Sequence, residues 1–299
     1  MKTDTARTVR EVRHQDESVS WRFLRASPAP ELAAHVLGYT DYEERAAEPV
    51  RRRELPETGI VIVLNLGEPL AIEDPRDPTT RHTFGSAFVA GLSDTYTLTE
   101  TAGTQAGVQV NLTPRAARRI FGVPMHELTN RVVPLDDVFG RRATDELLER
   151  LAEAPRGEAR WRLLDAALAG RVERGRGAEG HGPGREVGWA LGELEASLGR
   201  LPVGRLSATL GWSRKRLVEA FREEVGLAPK LLARLFRFHH ALELLDTGPV
   251  QRPEWSRIAY ACGYSDQSHM IRDFQQFTGM PPSTFARHRL PGEGGVSDG

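Results

Sequence analysis

Two hydrophobic periods divide this chain. Between about residues 50 and 112, apolar residues tend to recur at every second position. Examples are Tyr96 and Leu98 in TYTLTE and Val108, Val110 and Leu112 in VQVNL, joined by the β-rich run IVIVLNL at 60–66. A period of two sends alternate side chains to opposite faces of a strand. Turn-forming segments separate the runs: GEP at 67–69, EDPRDP at 73–78 and ETAGT at 100–104. Their Gly, Pro and Asp supply the dihedrals that reverse a chain. Short strands punctuated in this way predict an antiparallel barrel or sandwich.

After Pro114 the apolar spacing changes to three and four. ARRIF (117–121), ATDELLERLAEA (143–154) and EARWRLLDAALAGRV (159–172) each predict a helix that packs through one stripe. ERGRGAEGHGPGRE (173–186) has no apolar anchor and reads as a flexible linker. Everything from there to about 290 is helical in pattern. Residues 1–17 read as a disordered arm, and PGEGGVSDG (291–299) as a disordered tail. The expected fold class is therefore α+β. A β-rich, barrel-like domain with helices spans 18–172, and an all-α double helix-turn-helix domain spans 187–290.

The second domain contains a repeat. LSATLGWSRKRLVEAFREEVGLAPK (206–230) and IAYACGYSDQSHMIRDFQQFTGMPPS (258–283) share one skeleton. An aliphatic residue precedes Gly by five positions (Leu206/Gly211, Ile258/Gly263), and Gly-aromatic-Ser follows at 211–213 and 263–265. Next come an apolar residue and a Phe four apart (Leu217/Phe221, Met270/Phe274), then Gly226/Gly279 and Pro229/Pro282. The second copy has one extra residue after its Ser. In each copy Gly can end a first helix in the left-handed conformation, and Ser213 or Ser265 can cap a second. At ~100° per residue, Leu217 and Phe221 then face inward, as do Met270, Phe274 and Phe277. Lys215, Glu219 and Arg222 point outward from the first copy. From the second, Ser268 and Arg272 point outward, with Gln267 and His269 near the helix start. Polar side chains projecting from the first turns of such a helix read a major groove. Between the copies, PKLLARLFRFHHALELLD (229–246) predicts a helix of ~27 Å, close to the ~34 Å between successive major grooves on one DNA face.

On these residues, 187–290 resembles the DNA-binding domain of the AraC/XylS family of bacterial transcription regulators. The second motif is similar to the family signature almost position by position. The β-rich region with its helices resembles the family's effector-binding and dimerisation half. The resemblance implies base-reading roles for Lys215, Val218 and Glu219, and for Gln267, Ser268, His269 and Arg272. At Glu219 family members often place a cation. Arg214, Lys215, Arg216 and Arg222 are the expected phosphate or base contacts. Double-stranded DNA is the expected partner, with a small-molecule effector, a second copy of the chain and, for an activator, RNA polymerase as further ones.

Composition narrows the alternatives. At 299 residues there is room for two cores, and 39% hydrophobic with 27% charged residues matches ordinary globular proteins. No apolar run approaches the ~20 residues of a membrane span. MKTDTARTVREVRHQDES lacks the apolar stretch of a secretory signal. One cysteine, Cys262, cannot form an internal disulfide, which fits a reducing cytoplasm. Charge is uneven: residues 185–290 carry +4 and the remainder −5. His14, His35, His82 and His126 stand singly, His239-His240 has no partner at ligand spacing, and no GxSxG, P-loop or GxGxxG is present. The reading is thus a regulator rather than an enzyme, with no metal or cofactor. Its alternatives are an enzyme on a cupin-like N-terminal barrel tethered to a DNA-binding module, and a DNA-binding protein whose N-terminal half only dimerises.

Overall fold

The computed structural model describes residues 7–15, 17, 19–175, 183–247, 254–289 and 296–298. Among the described residues the first part of the chain holds eleven strands: β1 (Val9–Gln15), β2 (Val19–Ala26), β3 (Val36–Ala46), β4 (Val50–Glu54), β5 (Ile60–Asn65), β6 (Leu70–Asp74), β7 (Asp77–Phe84), β8 (Phe88–Ala90), β9 (Thr97–Thr101), β10 (Thr104–Leu112) and β11 (Val132–Pro134). They form two antiparallel sheets. The larger runs β1-β2-β3-β10-β5-β8-β11; the smaller runs β4-β9-β6-β7 and is extended at its β4 edge by β12 (Val296–Ser297). Helices α1 (Pro114–Phe121), α2 (Asp136–Phe139), α3 (Arg141–Glu153) and α4 (Glu158–Gly175) complete the N-terminal domain.

The register assigns each face of the larger sheet. Tyr39 and Asp41 stand opposite Val110 and Val108, which in turn stand opposite Ile62 and Leu64. Cross-strand neighbours share a face, and on this one Tyr39 donates its hydroxyl to Asp165 of α4 at 2.8 Å. Asp41, fully buried, accepts from Arg156 Nε at 2.8 Å and from the Gly157 amide at 2.9 Å. Breaking one partner of such a buried pair costs roughly 3–5 kcal/mol. The apolar core therefore lies between the sheet and the helices, where Trp161, Leu164 and Leu168 are buried. The opposite face, carrying Thr40, Gln109 and Asn111, looks into the space between the two sheets.

The C-terminal domain is helical: α5 (Gly184–Ala196), α6 (Val203–Leu210), α7 (Arg214–Glu224), α8 (Pro229–Thr247), α9 (Trp255–Ala261), α10 (Gln267–Thr278) and α11 (Pro282–His288). The repeat is a backbone requirement. Gly211, Gly226, Gly263 and Gly279 all take positive φ, between 65° and 102°, where any side chain would be strained. Leu217, Phe221, Met270, Phe274 and Phe277 are fully buried. Phe238 of α8 packs against Phe274 and Phe277 with ring centroids 5.1 Å apart in both cases.

Three expectations need correction. The arm at 1–17 contains β1, which pairs with β2 along its whole length. The tail contains β12, whose Val296 and Ser297 stand opposite Arg53 and Arg52. Helices α4 and α5 extend into both ends of the 173–186 segment, whose centre, 176–182, lies outside the described residues. Polar composition concealed β1, which its neighbour β2 holds, and β12, which β4 holds from far back in the chain, while α4 and α5 reach into the segment from apolar faces on either side of it. Strands β2 and β3 lie upstream of the expected strand region; in β3 the buried Asp41 and Glu44 interrupt the apolar alternation.

Candidate nucleic-acid interface and effector cavity

Helices α7 and α10 are the second helices of the two repeated motifs. On α7, Ser213 caps the helix as expected, its hydroxyl accepting from the Arg216 amide at 3.2 Å. Arg214, Lys215, Arg216, Glu219 and Arg222 are all exposed. They are not equally free. Arg216 stacks over the Trp212 ring at 4.4 Å, and Lys215 Nζ lies 3.8 Å from Glu219 Oε1 one turn on. The acid on the exposed face of α7 is thus partly committed to a neighbouring cation.

On α10 the cap is displaced by one residue from the sequence expectation. Asp266, not Ser265, accepts from the His269 amide, at 2.7 Å. Asp266 is the extra residue of the second copy. Its longer reach as a charged acceptor takes the cap, and Ser265 instead donates to it at 3.2 Å. The capping bond to the His269 amide holds the Asp266 carboxyl below its ordinary value. Gln267, Ser268 and Arg272 are exposed, as expected. Arg272 Nε turns back to its own helix, donating to Ser268 O at 3.3 Å. His269 is half-buried, edge-on to Tyr264 at 5.5 Å, with Nδ1 3.2 Å from Ser265 Oγ. It braces the turn more than it projects. Cys262 is fully buried, and burial pushes its thiol up to about 11, so it is a core residue.

Sequence reading missed one matched pair. Arg205 and Arg257 immediately precede Leu206 and Ile258, the first matched positions of the repeat, and both are exposed on the first helix of their motif. Extending the repeat one residue upstream would have found them. In such motifs the first helix crosses the DNA backbone.

The N-terminal domain holds a cavity of about 790 Å³ between its sheets, within the size range of small-molecule sites. Thr40, Gln109 and Asn111 line it from one sheet, and Thr97, Thr99, Arg52 and Glu54 from the other. Arg52 forks onto Glu44 with two bonds of 2.6 and 2.5 Å. Thr99 donates its hydroxyl to Glu54 at 3.1 Å. Glu54 is surrounded by protein, yet its surface stays open toward the cavity. Desolvation raises its carboxyl above the ordinary range, with Arg52 and the Thr99 bond opposing the shift. None of these residues stood out in the sequence.

Comparison with known proteins agrees with this division. A family model described as a helix-turn-helix domain matches residues 206–288, and one described as a domain of unknown function (DUF6597) matches residues 24–134. The chain is similar to the HTH-type transcriptional regulator GlxA of Rhizobium meliloti (strain 1021), 31% identical over 185 residues, covering 59% of this chain and 53% of that one. It spans about half the length of that curated relative. Among solved structures it is similar to ToxT from Vibrio cholerae O395, at 12% identity and a TM-score of 0.46, covering 91% of this chain and 98% of ToxT. An unsaturated fatty acid bound ToxT from Vibrio cholerae strain SCE256 is 9% identical with a TM-score of 0.47, covering 92% and 96%. Fold and matched domain together define a helix-turn-helix protein. The repeat that resembles the AraC/XylS family lies within the matched helix-turn-helix domain.

Proposed function

We propose that this chain is a sequence-specific, DNA-binding transcription regulator of the cytoplasm, not an enzyme, whose N-terminal domain responds to a small molecule. One observation carries the reading: α7 and α10, at matched places in a repeated helix-turn-helix, both present exposed polar and cationic residues over fully buried inner faces. Arg214, Lys215, Arg216 and Arg222 supply charge for phosphates, while Gln267, Ser268 and Arg272 offer donors and acceptors for base edges. Glu219 and His269 sit beside them in subordinate places. The mixed lining of the inter-sheet cavity, apolar walls such as Val61, Val63 and Ile72 with placed polar groups such as Gln109, Asn111 and Arg52, supports an effector role for the first domain, since small-molecule sites combine these two features. A second copy of the chain, and RNA polymerase if it activates, are the further partners proposed.

The test is selection of bound duplexes from a random pool by the full chain, with and without candidate metabolites. Affinity should fall steeply with salt, and Arg272→Ala should cost about 1–3 kcal/mol and relax preference at one base position. Retention of bulk competitor DNA as tightly as any selected site would end the regulator reading.

A further inference from the structure

Each reading helix ends on a turn containing a matched glycine, and the N-terminal domain grips both turns. In the first unit, Thr129 donates its hydroxyl to Gly226 O at 2.8 Å, and Arg118 of α1 pairs with Glu223 of α7 at 3.2 Å. In the second, Thr95 donates to Gln276 O at 2.9 Å, Gln276 Nε2 donates to Asp94 O at 2.9 Å, and Arg53 Nη1 donates to Thr278 O at 2.9 Å. The two grips are parts of one platform. Asn130, adjacent to Thr129, accepts through Oδ1 from the Asp94 amide at 3.0 Å, and its own amide donates to Leu92 O at 2.9 Å. Asn130 holds φ at 57°, a conformation Asn tolerates better than most residues. A short relay therefore runs from Gly226 through Thr129, Asn130 and Asp94 to Gln276.

We infer that the spacing and angle between the two reading helices are set by this N-terminal platform as well as by α8, making Thr95, Thr129 and Asn130 specificity-determining residues that lie outside the helix-turn-helix domain. The inference rests on the DNA-binding reading above. Helix α8 joins the two units, and α5 packs against α7 and α8 within the helical domain. A support outside that domain that bonds each unit at the matched turn adds a further constraint on their relative angle. Half-site spacing is then a property of the whole chain, although base preference remains a property of α7 and α10.

The experiment uses the full chain and selected duplexes carrying both half-sites at the preferred separation, at separations changed by one or two base pairs, and the downstream half-site alone. Thr129→Val, Thr95→Val and Asn130→Gly remove the bonds while conserving shape or the permitted backbone. The expected result is unchanged affinity for the single half-site, with the preference for the native separation reduced roughly five- to tenfold, a range ordinary for coupled sites. Full retention of the spacing preference in all three variants overturns the inference while leaving the regulator reading intact. Absence of any selected sequence for the wild type defeats the regulator reading instead. A second measurement then still decides the relay: amide exchange at 276–280 should accelerate in Thr129→Val, and an unchanged rate overturns it.

Discussion

Glu219 shows how a single residue can be weighed at the reading face. A carboxylate facing phosphates is repelled, yet Lys215 one turn away offsets it at 3.8 Å. Both side chains are largely exposed, and exposed pairs at this spacing are worth only a few tenths of a kcal/mol. Glu219→Ala therefore frees Lys215 for DNA at little cost to the helix. Binding should tighten severalfold at low salt, with the gain shrinking as screening rises. A loss of affinity with blurring of one base position would show instead that Glu219 accepts from a cytosine. The exposed set on α7 and α10 was legible because helical angle alone separates Lys215 or Arg272 from Phe221 or Phe274. The cavity residues were not. Thr40 and Gln109 occupy polar positions of alternating strands, a pattern that reads as a water-facing side until a second sheet is known to cover it.

At the scale of one helix, the start of α10 makes a pH-dependent prediction. The Asp266 carboxyl lies below its ordinary value of 3.8 because it accepts from the His269 amide, with further help from Ser265. A lowered folded value means that its contribution is complete above 3.8 and is lost as pH falls through the lowered one. Asparagine caps as well as aspartate but does not titrate in this range. Wild type should therefore lose thermal stability relative to Asp266→Asn as pH drops below about 4, and near pH 7 the two should melt alike. Parallel melting curves down to pH 2.5 would deny the cap this role. The element was foreseen and its first residue was not. The two copies of the repeat differ by one insertion, and sequence offers no rule for whether Ser265 or Asp266 makes the turn. The bond at 2.7 Å identifies Asp266.

For the molecule as a whole, the glycine-rich stretch suggested where the chain divides, whereas the extent of contact between the β-rich and helical parts was not legible. The buried apolar cluster runs without a break from Ile62 and Val110 through Met125 to Phe221 and Phe274. Asp298 bonds to Arg51 at 3.0 Å and to Arg53 at 2.8 Å, and His239 of α8 donates to Pro56 O at 2.8 Å. A protease site placed within 176–182 should therefore be cut without the halves parting. The two fragments should elute together on gel filtration at micromolar concentration, and deleting residues 296–298 should loosen them. Immediate separation of the cleaved wild type would show that the interface is too weak to hold the domains.

Strand β12 also imposes an order on folding. Its partners in β4 lie about 240 residues earlier in the chain, and contacts that distant form late, because closing so long a loop has to be offset before the pairing is rewarded. While the polypeptide is being synthesised, β4 stays at the open border of its sheet, with Arg51, Arg52 and Arg53 along it. A run of like charges is one of the ways an unpaired strand resists joining a stranger. Arg51 and Arg53 thus guard the border during synthesis, Arg52 being turned to Glu44, and Asp298 neutralises part of that guard when the tail arrives.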